Sequence, residues 1–380
     1  MADDKVVIFA MGDRVCRRDD YKEQMEHIVP TLREADIRYC QVEQIFSERG
    51  APSVYGPKHY RTPLKFLDAL TDIGISITSP NGNHAFEWGH DAFLDTIDNL
   101  EKKGIKTCGV GKDIDEARRP AILERKGAKI AFLAYNSIIR PREEARENWP
   151  GAAPMRVHTY YEAAEPYQPG NPALVHTFPY QEDIAAMKED VEKAKRMADV
   201  VVVALHFGLH FRRAVLADYQ PEVAHAAIDA GADVIIGTHP HLLKAVEVYK
   251  GKVIFYSLGN FAFDPPINPV TKEPELPKIA PSPSSFVSLF GLSGDPEYPY
   301  NEFFGRDALK TGIAKIVVQN KKVERVSFIP VLINPKEQPM RMTRGSEGFD
   351  AVINYLKDIT KEVGIKTEFR VEGDELVVLT

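Results

Sequence analysis

Apolar and polar positions alternate along this chain with two periods, and the first half reads as strand and helix in turn. Val6-Val7-Ile8-Phe9-Ala10 is an apolar run of strand length that leads into Met11-Gly12-Asp13. A helical period from Tyr21 to Ala35 follows, then a strand from Ile37 to Val42, a helical stretch from Pro63 to Leu70, a strand from Ile75 to Thr78 and a helix from Asp91 to Lys103. Lys129 to Tyr135 predicts another strand. Further on come a helix from Gln181 to Ala198, the valine-rich strand Asp199 to Leu205, a helix from Pro221 to Ala230, and strands from Asp233 to Ile236 and Lys252 to Tyr256. Strands from Ala314 to Val318 and Val323 to Ile329, a helix from Gly348 to Val363 and a strand near Leu376 close the chain. Such alternation predicts an α/β fold, with helices on both faces of the sheet structure.

Two stretches break the rhythm. Residues 141–180 are proline-rich and carry Trp149, Tyr160, Tyr161 and Tyr167, and residues 265–303 contain a Pro-Ser-Pro-Ser-Ser segment. Loops this long inside a domain are usually functional covers or linkers, and their aromatic content points to ordered covers over a site. With no internal repeat, residues 1–380 read as a single domain.

Charge and composition narrow the function. Lys+Arg 48 against Asp+Glu 55 gives a net charge of −7 spread along the chain, which argues against a nucleic-acid partner. Apolar residues at 44% and charged residues at 27% are ordinary for a globular protein. No run approaches the roughly 18 apolar residues of a membrane helix, and the acidic start shows no signal-peptide pattern. The reading is therefore a cytoplasmic protein with no membrane partner, and a homodimer stays open. Cys16, Cys40 and Cys108 are too scattered for a disulfide framework or a cysteine zinc site.

Polar residues gather where the strands run out: Asp13 after the first, Glu43 after the second, Asn83 and His84 after the third, His206 after the valine-rich strand, and His239 with His241 after Gly237-Thr238. In α/β sheets the strand ends form one rim where ligands bind, so these side chains can converge. Carboxylates, a carboxamide oxygen and imidazoles together suit Mn²⁺, Zn²⁺ or Fe²⁺. Taken singly, each has a plainer reading: Asp13 as a turn residue, His206 as a core histidine. In an extended His239-Pro240-His241 segment, positions i and i+2 would share a face.

In order along the chain, Val6 to Asp13, Ala35 to Glu43, Asn83 to Gly89, Leu205 to Gly208, Gly237 to Leu242 and Phe255 to Asp264 resemble the successive motifs of the CapA-type poly-γ-glutamate biosynthesis proteins. These belong to the calcineurin-like metallophosphoesterase superfamily. Tyr256-Ser257-Leu258-Gly259-Asn260-Phe261 is the most specific of the motifs, and the likeness runs from about residue 5 to 335. It implies a metallophosphoesterase-like four-layer α-β-β-α sandwich with a site at the sheet edges. It further implies Asp13, Glu43, Asn83, His206, His239 and His241 as ligands of one or two divalent ions, with Glu43 as the bridging group and His84 as a non-ligand acid.

The departures are informative. The superfamily's usual first motif is Asp-x-His, but here it reads Asp13-Arg14-Val15, so one metal position lacks an imidazole. His210 stands where the family commonly has Glu, and is read with His84 as a catalytic candidate, a substrate contact or support of the reacting centre, against the alternative of a surface histidine. Thr238 replaces a frequent histidine, Gln41 an asparagine, and Glu87 the usual Asp, in a structural role. Arg14 and Arg212 read as rim contacts for a carboxylate or phosphate. Trp149 and Tyr160 read as lining residues from the first cover, through which His158 and His176 could also enter. Arg17 and Arg18 read equally as solvated helix-face residues.

The function expected is a metal-dependent hydrolase that uses metal-activated water on an amide or ester of a small anionic, γ-glutamyl-like substrate. Two alternatives remain: a metallophosphoesterase, and a non-catalytic accessory or binding protein of poly-γ-glutamate (capsule) biosynthesis. Fold alone does not separate them.

Overall fold

The computed structural model describes residues 4–53, 61–168, 170–264 and 305–380; the cover expected at 265–303 lies outside these. In the first strand, Val6–Val15, the side chains of Val6, Ile8 and Ala10 enter one core while Phe9 and Met11 enter another. The strand Val200–His206 splits the same way. Val200, Val202 and Ala204 join the core of Val6, Ile8 and Ala10, and Val201, Val203 and Leu205 pack with Ile184, Met187, Val191, Val223 and Ala227. Period-two alternation with apolar residues on both faces means each sheet is covered twice.

The layers follow from that. A 10-stranded sheet and a 6-stranded sheet share the middle core. Helices Gln181–Met197 and Tyr219–Asp229 cover the smaller sheet's outer face. Helices Tyr21–Met25, Val29–Leu32 and Gly89–Lys102 contribute Met25, Leu32 and Leu100 to the larger sheet's outer core. This is the α-β-β-α sandwich. Helix Glu347–Glu362, capped by the Ser346 hydroxyl accepting from the Phe349 N–H at 3.2 Å, instead packs Val352, Leu356 and Ile359 into the middle core.

Parallel pairing sets the working edge. In the larger sheet Val6–Val15, Ile37–Val42, Ile77–Ser79 and Lys106–Thr107 run parallel; in the smaller, Ala128–Asn136, Val200–His206, Val234–Thr238 and Lys252–Phe255 do. The carboxyl ends of both sets meet at one rim. Across the larger sheet, Lys310–Gln319 and Lys322–Ile333 form a long hairpin. Its two-residue turn places Asn320 and Lys321 at φ 50° and 64°, the left-handed values that match strand twist.

Two expectations change. The single helix from Tyr21 to Ala35 is two short helices, because Pro30 cannot donate a backbone hydrogen bond and fits only the first turn of Val29–Leu32. Within 141–180, strands Val157–Ala163 and Ala173–Pro179 pair as an antiparallel ribbon, where a loop was expected from the prolines.

Gly12 shows how tightly the rim is built. The pairing of the first and second strands shifts register between Met11 and Asp13, a bulge that re-aims Asp13. A Cβ on Gly12 would lie 1.8 Å from the Gly259 carbonyl oxygen. Gly12→Ala is therefore expected to destabilise the protein by about 3 kcal/mol in urea unfolding. Gly104→Ala, at φ 78° with open space around it, should lose only about 1 kcal/mol. Equal losses would show that the Gly12 contact relaxes.

Candidate metal centre

Six side chains from separate strand ends arrive at one buried cluster. Asp13, Glu43, His206, His239 and His241 are each at most 3% exposed, and Asn83 reaches in from the loop after Ile77–Ser79. Glu43 Oε1 lies 3.0 Å from His206 Nε2, and Glu43 Oε2 lies 3.7 Å from His241 Nε2, so the carboxylate stands between two imidazoles. Asn83 Oδ1 is 2.9 Å from His206 Nε2 and 3.2 Å from His239 Nδ1. Asp13 Oδ2 accepts the His239 backbone N–H at 3.0 Å and lies 3.7 Å from His241 Nδ1.

Neighbours fix how the rings face. Thr238 Oγ1 sits 3.1 Å from His206 Nδ1, so the residue that replaces a frequent family histidine orients a ring. Asn260 Oδ1 takes the His241 Nδ1 hydrogen at 2.7 Å, leaving the Nε2 lone pair toward Glu43. The His239-Pro240-His241 segment is not extended as expected. His239 and His241 have φ of 94° and 57°, a strained bend that brings both rings into the cluster. Gly82 closes the floor: a Cβ there would lie 3.1 Å from Glu43 Oε1 and 3.3 Å from His206 Cε1.

The electrostatics favour a cation. Burial, and then the charge of Glu43, push the Asp13 carboxyl well above its usual range. Burial acts the same way on Glu43, but the imidazoles of His206, His241 and His84 outweigh it and hold its carboxyl low. Burial drives His239 and His210 far below ordinary histidine and His241 to about 4. These rings are neutral at pH 7 and present lone pairs. Asp13 Oδ1 and both Glu43 carboxylate oxygens are buried without a well-formed hydrogen bond among the described residues. Buried carboxylate oxygens short of donors are costly unless a positive charge sits beside them. Glu43, His206 and His239 place ligand atoms within 4.8 Å of one another, a spacing that can hold a metal ion.

His84 differs. Its Nδ1 lies 2.5 Å from Glu87 Oε1, and although burial works to lower its pKa, the Glu87 carboxylate outweighs this and raises it. It therefore keeps a proton more readily than His239 and His241 do. His210 packs its ring on His239, centroids 3.8 Å apart, against the cluster and not on the open surface. Buried Lys244 donates from Nζ to the carbonyls of Arg212 and Val215, pinning the loop that carries His210.

The expected rim contacts lie elsewhere. Arg14 is fully buried and points opposite to Asp13, as adjacent strand residues must; its guanidinium reaches Met25 Sδ and the Ala69 carbonyl. Arg212 meets Lys244 through its carbonyl while its side chain is exposed, because the loop turns at Phe211 and Ala214, φ 55° and 49°. Trp149 donates to the Arg142 carbonyl at 3.0 Å and packs on His90, and Tyr160 stands exposed on the ribbon facing His176. His158 stacks on Tyr180 and His176 pairs with Glu162, away from the cluster. Arg18 pairs with Asp20 and Glu337, and the Arg17 N–H donates to Asp264.

Sequence reasoning missed Asn260, although it lies inside the most specific motif, where it pairs in register with Asp13. It also missed the end of Ala128–Asn136. Asn136 aligns with His206 and donates to the Asn81 carbonyl at 2.5 Å, and the Ser137 N–H donates to the His206 carbonyl at 2.9 Å. Polar Asn136 directly after an apolar strand was the available signal.

Geometry thus defines an α-β-β-α protein with a candidate divalent-metal centre at the joined strand ends. Residues 6–265 match the family described as bacterial capsule synthesis protein PGA_cap, and the chain belongs to that family. It is 32% identical over 207 residues to the PGA biosynthesis protein CapA of Bacillus subtilis (strain 168), which covers 54% of this chain and 47% of that protein. It is 27% identical over 233 residues to a probable polyglutamine synthesis accessory protein of Mycobacterium tuberculosis, covering 60% and 56%. The chain spans about half the length of these curated relatives. A hypothetical protein from Thermus thermophilus is a similar solved structure, at 15% identity and a TM-score of 0.46, covering 86% of this chain and 98% of that one. Among the described residues, no helix is long and apolar enough to cross a membrane.

Gly82→Ala is expected to weaken Mn²⁺ or Zn²⁺ binding by about ten-fold or more in calorimetric titration, while thermal stability shifts little. Unchanged affinity would place the ion away from Glu43 and His206.

Proposed function

We propose that this protein is a metal-dependent hydrolase that cleaves an amide or ester bond in a small anionic substrate of γ-glutamyl type. The observation that carries the reading is the buried set of carboxylate oxygens and imidazoles, only partly compensated by donors, beside a proton-holding histidine. Membership of the capsule synthesis family and the PGA biosynthesis name of the Bacillus subtilis relative support the γ-glutamyl class.

Glu43, His206 and His239 would hold Mn²⁺, Zn²⁺ or Fe²⁺, with Asp13, Asn83 and His241 completing the donor set. Such an ion would supply Lewis acidity and an acidified water. Glu43, with one oxygen toward His206 and the other toward His241, is placed to serve two positions. His84, with Nδ1 held by Glu87, carries its transferable proton on Nε2 and delivers it to the leaving group. His210, packed over His239, keeps solvent from the ligand rings. Phosphoester cleavage would use the same donors. The relative named as an accessory protein favours a second reading, in which the chain binds polymer or a synthesis partner without catalysis.

Metal content of protein purified without chelator should be about one to two ions per chain and should collapse in Glu43→Gln and His239→Ala. His84→Gln should keep the metal but lose about 100-fold in turnover of γ-glutamyl-p-nitroanilide, p-nitrophenyl acetate or p-nitrophenyl phosphate, whichever is cleaved. Wild type that holds no metal after reconstitution, or holds metal and cleaves none of the three, would sink the hydrolase reading in favour of the accessory one.

A further inference from the structure

A cation suited to an anionic substrate lies on a segment that is fastened to two parts of the centre and that none of the motifs includes. Ser137 to Glu143 follows the strand Ala128–Asn136 and lies between two parts of the site. On one flank the Ser137 N–H donates to the His206 carbonyl at 2.9 Å. On the other, Ile139 packs against the cluster of Ala85, Phe86 and Phe93, and the Arg142 carbonyl lies 3.0 Å from His90 Nε2. The segment is therefore fastened to the strand end bearing His206 and to the turn bearing His84. Arg140 sits in its middle, close enough that its charge acts on His84.

We infer that Arg140 is the specificity-determining residue of this centre, recognising an oxyanion of the substrate, a carboxylate of γ-glutamyl type in the first instance. Glu143, its side chain only 9% exposed, holds Arg140 in place by accepting from its backbone N–H at 2.9 Å and from its guanidinium at 3.2 Å. That engages one edge of the guanidinium. Among the described residues its remaining N–H groups have no other partner, and at 30% exposure the side chain is anchored yet open. A planar fork with free N–H groups is built to grip a carboxylate or phosphate by two parallel hydrogen bonds. Other arginines are placed differently: Arg14 is buried against Met25 and Ala69, Arg18 pairs with Asp20 and Glu337, Arg213 with Glu362, and the Arg212 side chain is exposed. The inference rests on the proposed hydrolase for the location of the reacting bond, but binding alone tests it.

The experiment is calorimetric binding of γ-L-glutamyl-L-glutamate and, separately, inorganic phosphate to the full chain supplemented with Mn²⁺. Metal content and thermal midpoint are measured on each variant. Wild type should bind at least one probe. Arg140→Met should weaken it by about ten-fold or more with the metal retained, and Arg140→Lys, which keeps the charge but loses the fork, should fall between. Loss confined to the dipeptide assigns a carboxylate; loss confined to phosphate assigns a phosphoryl group, and either supports the Arg140 contact. Binding by Arg140→Met equal to wild type, or no binding of either probe by wild type, overturns it. Arg140-dependent binding without hydrolysis in any assay would leave the contact standing and remove the hydrolase.

Discussion

Two buried carboxylates facing a cluster of imidazoles are the constraint around which the rim is arranged. Asp13 and Glu43 are removed from water, and burial penalises each charge by several kcal/mol unless something compensates it. Within the protein the compensation is partial: one backbone N–H on Asp13, and ring nitrogens around Glu43. The surroundings nonetheless hold the groups in place. A bulge at Gly12 aims Asp13, a strained bend at His239 and His241 brings two rings inward, and Gly82 leaves room where any side chain would press on Glu43. Local rules are broken here together, and such violations concentrate where a site is being maintained.

The same edge explains why sequence order foretold which side chains converge but not where the neighbouring arginines lie. Strand ends in parallel sheets meet at one rim whatever their separation along the chain, so Asp13, Glu43, Asn83, His206, His239 and His241 could be read from the residues that follow apolar runs. Adjacency to a ligand is a poor guide, because neighbouring strand residues face opposite sides. Arg14 thus ends among Met25 and Ala69, although it follows Asp13 directly. Arg140 was invisible for the complementary reason: it lies outside the motifs, and its segment is brought to the site by the pairing of Asn136 with His206 and by the packing of Ile139 near His84.

Elsewhere the limits were local chemistry overridden by context. Pro30 sits in a sequence with good helical period but removes the donor that a continuous helix needs, so the period survives and the helix does not. The prolines and aromatics between residues 141 and 180 signalled a loop, whereas strands Val157–Ala163 and Ala173–Pro179 pair with each other, a long-range outcome that window-level reading does not reach. The element types of the central strands were legible because apolar runs buried on both faces have few alternatives.

The departure at Val15 bears on how many ions the centre is built for. At the position where the expected Asp-x-His pattern would put an imidazole, Val15 is buried in an apolar cluster with Leu242, Phe263, Leu309 and Ile333, so that strand position offers no donor. The remaining donors divide unequally. Glu43 Oε1, His206 and His239, with Asn83, form a compact set within metal-binding distance. Asp13, His241 and Glu43 Oε2 form a looser one, with separations of 3.7 Å, and His241 is tied to Asn260 through Nδ1. A bound cation would therefore find most of its donors on the His206 side, while a second would depend on Asp13 and a single His241 nitrogen. Compact N and O donors on one side and sparse ones on the other favour sequential, unequal filling over a symmetric pair. That asymmetry is what the exchange of an imidazole for Val15 leaves behind.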